Sequence, residues 1–307
     1  MKMRVWSTTL LVLIALGGAG LAAAADRPHN ALSRPELTWR ADQRAEPWID
    51  VLAHELALVE VRAAGLSRHG RDVLGRINAL DVERMNEALA AGDLVFVELQ
   101  PAIGRLLNVR DSGLAAVEEW RLGPPTRSRF DQLGSAVESA QTVVGSWQAI
   151  GTDARRVAGL IDSLLRHDGL VFRATTAGRA ANWDDALALL EQAKGPLGEA
   201  AEIRDVLATG LNTDTLDDLL DRYRAYDASL TAMYSYIRDT GRREGREFKA
   251  LEAEVGRAQA ALPADTSAMS VIVAEAAGPP LTDALVAIER ARGDILDALA
   301  VAESDQP

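Results

Sequence analysis

The stretch Pro47-Trp48-Ile49-Asp50-Val51-Leu52, continued by Leu56, Val59, Ala63, Leu66, Gly70, Val73, Ile77 and Leu80, decides the fold class. From Ile49 its apolar residues recur at alternating intervals of three and four, the spacing that keeps one stripe of an α-helix against a partner. Only Gly70 interrupts the stripe. As one helix, residues 48–80 would reach roughly 50 Å at ~1.5 Å per residue, too long for a compact globule of short helices. Pro47 suits the first turn, where a missing N–H is tolerated, so the helix is expected to begin there, with Gly65 and Gly70 as places to bend.

The interval continues in both seams that follow. Val82, Met85, Leu89, Gly92, Phe96, Leu99, Ile103 and Leu106 predict a second helix or a broken pair, with Pro101 and Gly104 as weak points. Gly123-Pro124-Pro125 is the clearest turn, because two prolines cannot continue a helical hydrogen-bond ladder. Phe130, Leu133, Val137, Ala140, Val144 and Trp147 restart the spacing. It slips near Gly151, where Thr152-Asp153 fits a cap, and resumes at Ala154, Val157, Ile161 and Leu164. Asn182 before Trp183-Asp184-Asp185 reads as a capped helix start with acidic residues at the positive end of the dipole. After a turn at residues 210–215, one frame runs through Leu216, Leu220, Tyr223, Asp227, Leu230, Tyr234 and Ile237 to Leu262, hinged between Gly241 and Gly245. Pro263 and Gly278-Pro279-Pro280 mark breaks before a last helix carrying Leu281, Leu285, Ile288, Ile295 and Leu299.

These seams predict an all-α protein: long amphipathic helices in one elongated or two consecutive antiparallel helical bundles with coiled-coil-like seams. The expected division is 47–168 and 169–303, with 304–307 a disordered tail. Leu94-Val95-Phe96-Val97, Leu170-Val171-Phe172 and Val271-Ile272-Val273 fit a short strand or a buried helical turn. Gly75-Arg76, Leu80-Asp81 and Gly92 share their offsets with Gly178-Arg179, Trp183-Asp184 and Gly195, which suggests an internal repeat.

The N-terminus carries an address. Lys2 and Arg4 precede an apolar stretch from Val5 to Leu16, and Ala23 and Ala25 supply the A-x-A spacing of a signal-peptidase site, so residues 1–25 are expected to be a cleaved signal peptide. The alternative is a membrane anchor, since about 20 apolar residues span a bilayer. Residues 26–46, with Pro28 and Pro35 and mixed charge, read as a flexible tether. The expected location is periplasmic or extracellular.

Removing Lys2 and Arg4 takes the net charge from −12 to −14, which disfavours nucleic acid and anionic lipid as partners. Protein is the expected partner, self-association is allowed, and the membrane enters only through an uncleaved N-terminal segment. With no cysteine, disulfides, thiolate metal sites and thiol catalysis are excluded. A di-metal carboxylate bundle needs Glu-x-x-His, but His54, His69 and His167 follow Val51, Leu66 and Leu164 at that offset. His54-Glu55 has Leu58 where a zinc-protease helix has its second histidine. Gly145-Ser146-Trp147 lacks the flanking glycine of a nucleophile elbow. No catalytic residue, metal ligand or cofactor is therefore assigned.

Two aromatic features remain. Tyr223, Tyr226, Tyr234 and Tyr236 crowd one helix, and since Tyr226 and Tyr236 lie off the seam of Tyr223 and Tyr234, they form a candidate partner surface. Residues 182–193, with Trp183, the acidic pair, Ala186-Leu187 and Ala193, resemble the second helix of a tetratricopeptide repeat. The resemblance covers twelve residues; a stable array needs about three repeats, so no array and no peptide-binding residue follows from it. The expected function is an exported, non-catalytic protein-binding, scaffold or cell-envelope module. The alternative is a small-molecule-binding or sensor domain.

Overall fold

In the computed structural model the described residues are 35–117, 121–208, 213–241, 245–263 and 266–304. The expected signal peptide, the first part of the tether, residues 210–212 of the turn at 210–215 and residues 305–307 lie outside them. The described chain forms seven helices and no strand: α1 (Pro35–Asn78), α2 (Val82–Ala116), α3 (Pro124–Arg179), α4 (Trp183–Leu207), α5 (Asp214–Thr240), α6 (Arg246–Ala261) and α7 (Thr266–Ser304). The protein is all-α. The three β-compatible runs sit inside α2, α3 and α7, with Leu94, Val97, Phe172 and Val271 exposed. No single described helix is long and apolar enough to cross a membrane.

The seam of α1 is buried as its spacing predicts. Ile49, Leu56, Val59, Ala63 and Leu66 have no exposed surface. Burial of such side chains contributes about 1.5–3 kcal/mol each, which offsets the ordering of so long a helix. Leu80 departs from the seam and takes a left-handed φ of 52° in the turn to α2. Asp81 caps α2 by accepting the Arg84 N–H at 3.1 Å.

Several expected boundaries are absent because packing overrides local propensity. The tether reading fails from Pro35 onward, where α1 has already begun. Ala45 is fully buried, Asp42 accepts the Gly123 N–H at 2.8 Å and Glu46 pairs with Arg129 at 3.0 Å. Pro47 and Pro101 lie inside their helices. A proline forfeits one backbone hydrogen bond, a local loss that burial on both sides outweighs. α3 runs unbroken through Gly151, and Thr152 Oγ1 donates to the Gln148 carbonyl within it instead of capping a new segment. By contrast, Gly123-Pro124-Pro125 does open α3, with proline in its first turn. Gly241 ends α5 at φ 65°, a conformation that suits glycine. Gly278-Pro279-Pro280 bends α7 by 55° without ending it.

The helices do not fall into two consecutive units. α1, α2, the first half of α3 and the second half of α7 pack together, and the contacts Arg62–Glu98 with Arg105–Glu55 show α1 and α2 running antiparallel. Polar links tie α7 to this group, among them Arg292 to Glu60 at 2.8 Å, Ser67 to Glu289, and Ser139 to Asp294 at 2.7 Å. The rest of α3 packs with α4, and α5 joins α4 to α6. α3 thus crosses the expected division at 168/169, and α7 returns to the N-terminal helices. The larger apolar core runs from Ala45 to Tyr223 and takes in α7; a smaller one lies beyond it, built on Val171, Ala174, Leu190, Leu230 and Tyr234.

The turns after α1 and α3 share one hydrogen-bond pattern. Leu80 N–H donates to Ile77 and Asp81 N–H to Arg76; Ala181 N–H donates to Gly178 and Asn182 N–H to Ala177. Ala181 repeats the left-handed φ at 60°. Leu80 matches Ala181, so the structural equivalence is two residues out of step with the Gly75/Gly178 offsets. The sequence matches therefore do not mark equivalent positions. Nor does α4 follow a 56-residue α3 as it would in a tetratricopeptide unit, whose two helices share about 34 residues.

Candidate functional site

Two polar residues occupy seam positions where apolar ones are expected. His167 follows Leu164 on α3, and Asp227 lies between Tyr223 and Leu230 on α5. The structure brings them together between the two cores. His167 is fully buried and its Nε2 lies 3.0 Å from Asp227 Oδ2, while Nδ1 lies 3.2 Å from Asp168 Oδ1. Ionised carboxylates only accept, so both ring nitrogens donate and the ring is an imidazolium. Burial lowers its pKa, but hydrogen bonds to Asp168 and Asp227 together with their charges outweigh it and raise it to about 9.

Tyr223 closes this charged layer from the other side. Its ring meets the imidazole edge-on at 4.7 Å, and its hydroxyl donates to Asp168 Oδ2 at 3.3 Å, near Met269 Sδ. Burial and the Asp168 charge push the phenol's pKa up, so it stays a donor. Asp227 Oδ1 is buried with no hydrogen-bond partner among the described residues. With both nitrogens engaged, His167 has no free lone pair for a metal or for proton abstraction. Among the described residues no group of three or more His, Asp or Glu is placed to hold a metal ion. His54 is exposed on α1.

One turn beyond the layer, α3, α4, α5 and α6 leave a cleft of about 510 Å³. Its aromatic walls are Phe172, Trp183, Tyr226, Tyr234 and Phe248. Aliphatic surface comes from Val171, Leu230, Met233, Ile237 and Val255. The polar groups are few: Thr175, Arg179, Glu252 and Gln259 beside the two tyrosine hydroxyls. Gly178 makes room for Tyr234, since an added Cβ would lie 2.6–2.9 Å from the end of the phenol. Trp183 packs against the same ring at 5.7 Å.

The four tyrosines therefore do not share a solvent-facing surface. Tyr223 points inward to His167, Tyr226 and Tyr234 are more than nine-tenths buried and line the cleft, and Tyr236 packs against Phe248 at 6.4 Å. Their rings are drawn to the aromatic walls because burial of so large a surface outweighs exposure of the ring for the sake of one hydroxyl. Phe172 and Arg179 on α3 and Phe248 on α6 carried no signal in the sequence that joins them in one site. Asp227 carried a partial one: an acid in an apolar seam demands a buried cation. Comparison of the chain with models of known families, with curated proteins and with solved structures finds no match.

Proposed function

We propose that this is an exported, non-catalytic binding protein of the cell envelope that holds a small molecule between its C-terminal helices. The observation that carries the proposal is the cleft. Its size falls in the roughly 300–1,000 Å³ range of small-ligand sites, and aromatic and aliphatic side chains share its lining with polar groups that could orient a ligand. The charged layer supports a binding role over a catalytic one, because its histidine is committed at both nitrogens. Of the two readings drawn from the sequence, this favours the small-molecule alternative over a partner-protein surface, since Tyr223, Tyr226 and Tyr234 are buried and Tyr236 is half-buried against Phe248.

A fluorescent neutral aromatic, N-phenyl-1-naphthylamine, tests it. Titration into the mature chain should give saturable enhancement and a raised Tm, because a ligand that binds only the native state stabilises it. Thr175→Trp, which places an indole in the cleft from its half-buried wall, should abolish both while leaving the helical circular-dichroism spectrum intact. Binding unchanged in a folded Thr175→Trp protein overturns the proposal.

A further inference from the structure

We infer that the ligand of this cleft is an amphipathic organic anion, its acidic group held by Arg179, Tyr226 and Tyr234 and its apolar body lying between the aromatic walls. The inference rests on the cleft being the binding site. It follows from the inventory of hydrogen-bonding groups. Arg179, exposed in the last turn of α3 at the rim of the cleft, makes no ion pair or side-chain hydrogen bond among the described residues, although most described arginines are paired. Tyr226 and Tyr234 are 8% and 5% exposed, and neither hydroxyl has a hydrogen-bond partner among the described residues.

Both phenols hold their protons. Burial raises the pKa of each first; Asp227 adds to Tyr226 and Tyr226 adds to Tyr234, while Arg179 pulls both back in part. One guanidinium and two neutral phenols, near enough for the charge of Arg179 to act on both hydroxyls, are three sources of N–H and O–H donors in the lining of the cleft. A neutral hydrocarbon leaves such groups unsatisfied, and a cation is repelled; a carboxylate or sulfonate satisfies them with charge-assisted bonds. Glu252, on α6, is the one carboxylate in the lining. An acid accordingly binds beside Arg179, with the ligand's apolar body against the aliphatic lining that includes Leu230 and Val255.

Two naphthalene probes separate the inference from the reading beneath it: the anion 1-anilinonaphthalene-8-sulfonate and the neutral N-phenyl-1-naphthylamine. Both should bind and both should be lost in Thr175→Trp. Arg179→Gln should weaken the sulfonate about tenfold and leave the neutral probe within twofold. Arg179→Lys should restore part of the sulfonate's affinity, and Glu252→Gln should tighten the sulfonate two- to threefold. Equal affinity of the two probes with no effect of Arg179→Gln overturns the anion assignment and leaves the cleft as a site. Loss of sulfonate affinity in Glu252→Gln also counts against it. If neither probe responds to Thr175→Trp, the cleft itself is not the site and both proposals fall.

Discussion

Raising the pH from 6 to 10 should destabilise the fold through one residue, His167. Its folded pKa of about 9 stands above the ordinary 6.5. A raised pKa means that the folded state binds the proton more tightly than the unfolded chain. The stabilisation is complete below the unfolded value and disappears as pH rises through the folded one. A difference of this size corresponds to on the order of 3 kcal/mol, with a slope near 1.4 kcal/mol per pH unit between the two values. The window is clean, since the lysines are only Lys2, Lys194 and Lys249, and Tyr223 is pushed to higher pH still. Urea unfolding followed by circular dichroism at unit pH steps measures the slope, and the imidazole carbon-bound proton resonance of His167 reports the titration directly. Asp227→Asn should lower stability by about 3 kcal/mol at pH 7, because one partner of a buried pair is removed, and should flatten the slope. A wild-type stability constant from pH 7 to 9, or an undiminished slope in Asp227→Asn, would show that the ring is not the imidazolium described.

The packing makes three further predictions. On α2, Gly92→Ala should destabilise, since the new Cβ overlaps Trp147 Cη2 and Cζ2; overpacking of about 1–3 kcal/mol exceeds the ~1 kcal/mol gained in helix propensity. Gly104→Ala on the same helix meets nothing within 4 Å and should stabilise by about 0.5–1 kcal/mol, so equal shifts in urea midpoint for the two would refute the packing. Arg129, 5% exposed, donates to Glu46 at 3.0 Å and to the Ala302 carbonyl at 3.4 Å. Arg129→Met should therefore speed amide exchange in the last turn of α7 and cost about 1–3 kcal/mol. Ending the chain at Pro263 removes the fourth helix of the N-terminal group. It should abolish the cooperative unfolding of α1 to α3, whereas a self-contained N-terminal unit would keep its Tm.

The seams were legible because burial repeats with the helix. Met85, Leu89, Leu99, Leu133, Trp147, Ile161, Leu220, Ile288 and Ile295 all lie where the spacing puts them, inside. Prolines misled in proportion to their surroundings. Pro124 and Pro125 follow Gly123 and start a helix, whereas Pro47 lies between the buried Ala45 and Ile49 and interrupts nothing. The return of α7 to α1 was not legible, since a stripe of Leu281, Ile288 and Ile295 states that one face is buried and not against what. The cleft was hidden for the same reason, its walls coming from residues 171–259 with no shared spacing. Asp227 stands in an apolar frame and His167 three residues after Leu164, but no local pattern joins them, and only as a pair do they have a meaning.

That pairing bears on how this chain finds one register. A seam of alternating three and four is nearly as well filled when a helix slides by seven residues, so apolar burial alone leaves neighbouring registers close in energy. Moving α5 by one heptad along α3 would set Asp227 beside Leu160 or Ala174, both fully buried. An unpaired charge there costs about 3–5 kcal/mol. The same slip would bring Tyr234 off Gly178, the position whose missing side chain admits its phenol, and one direction would set it beside Val171. A second lock of this kind works in the N-terminal helices, where Trp147 lies over Gly92 and its indole N–H donates to Asp93 Oδ1 at 3.0 Å. In each case a ring fills the space at a glycine and a polar contact fixes the level, buried at His167 and part-buried at Trp147. At the C-terminal end, the register that pairs Asp227 with His167 is also the one that sets Tyr226 and Tyr234 near Arg179, the arrangement that the proposed anion site would use.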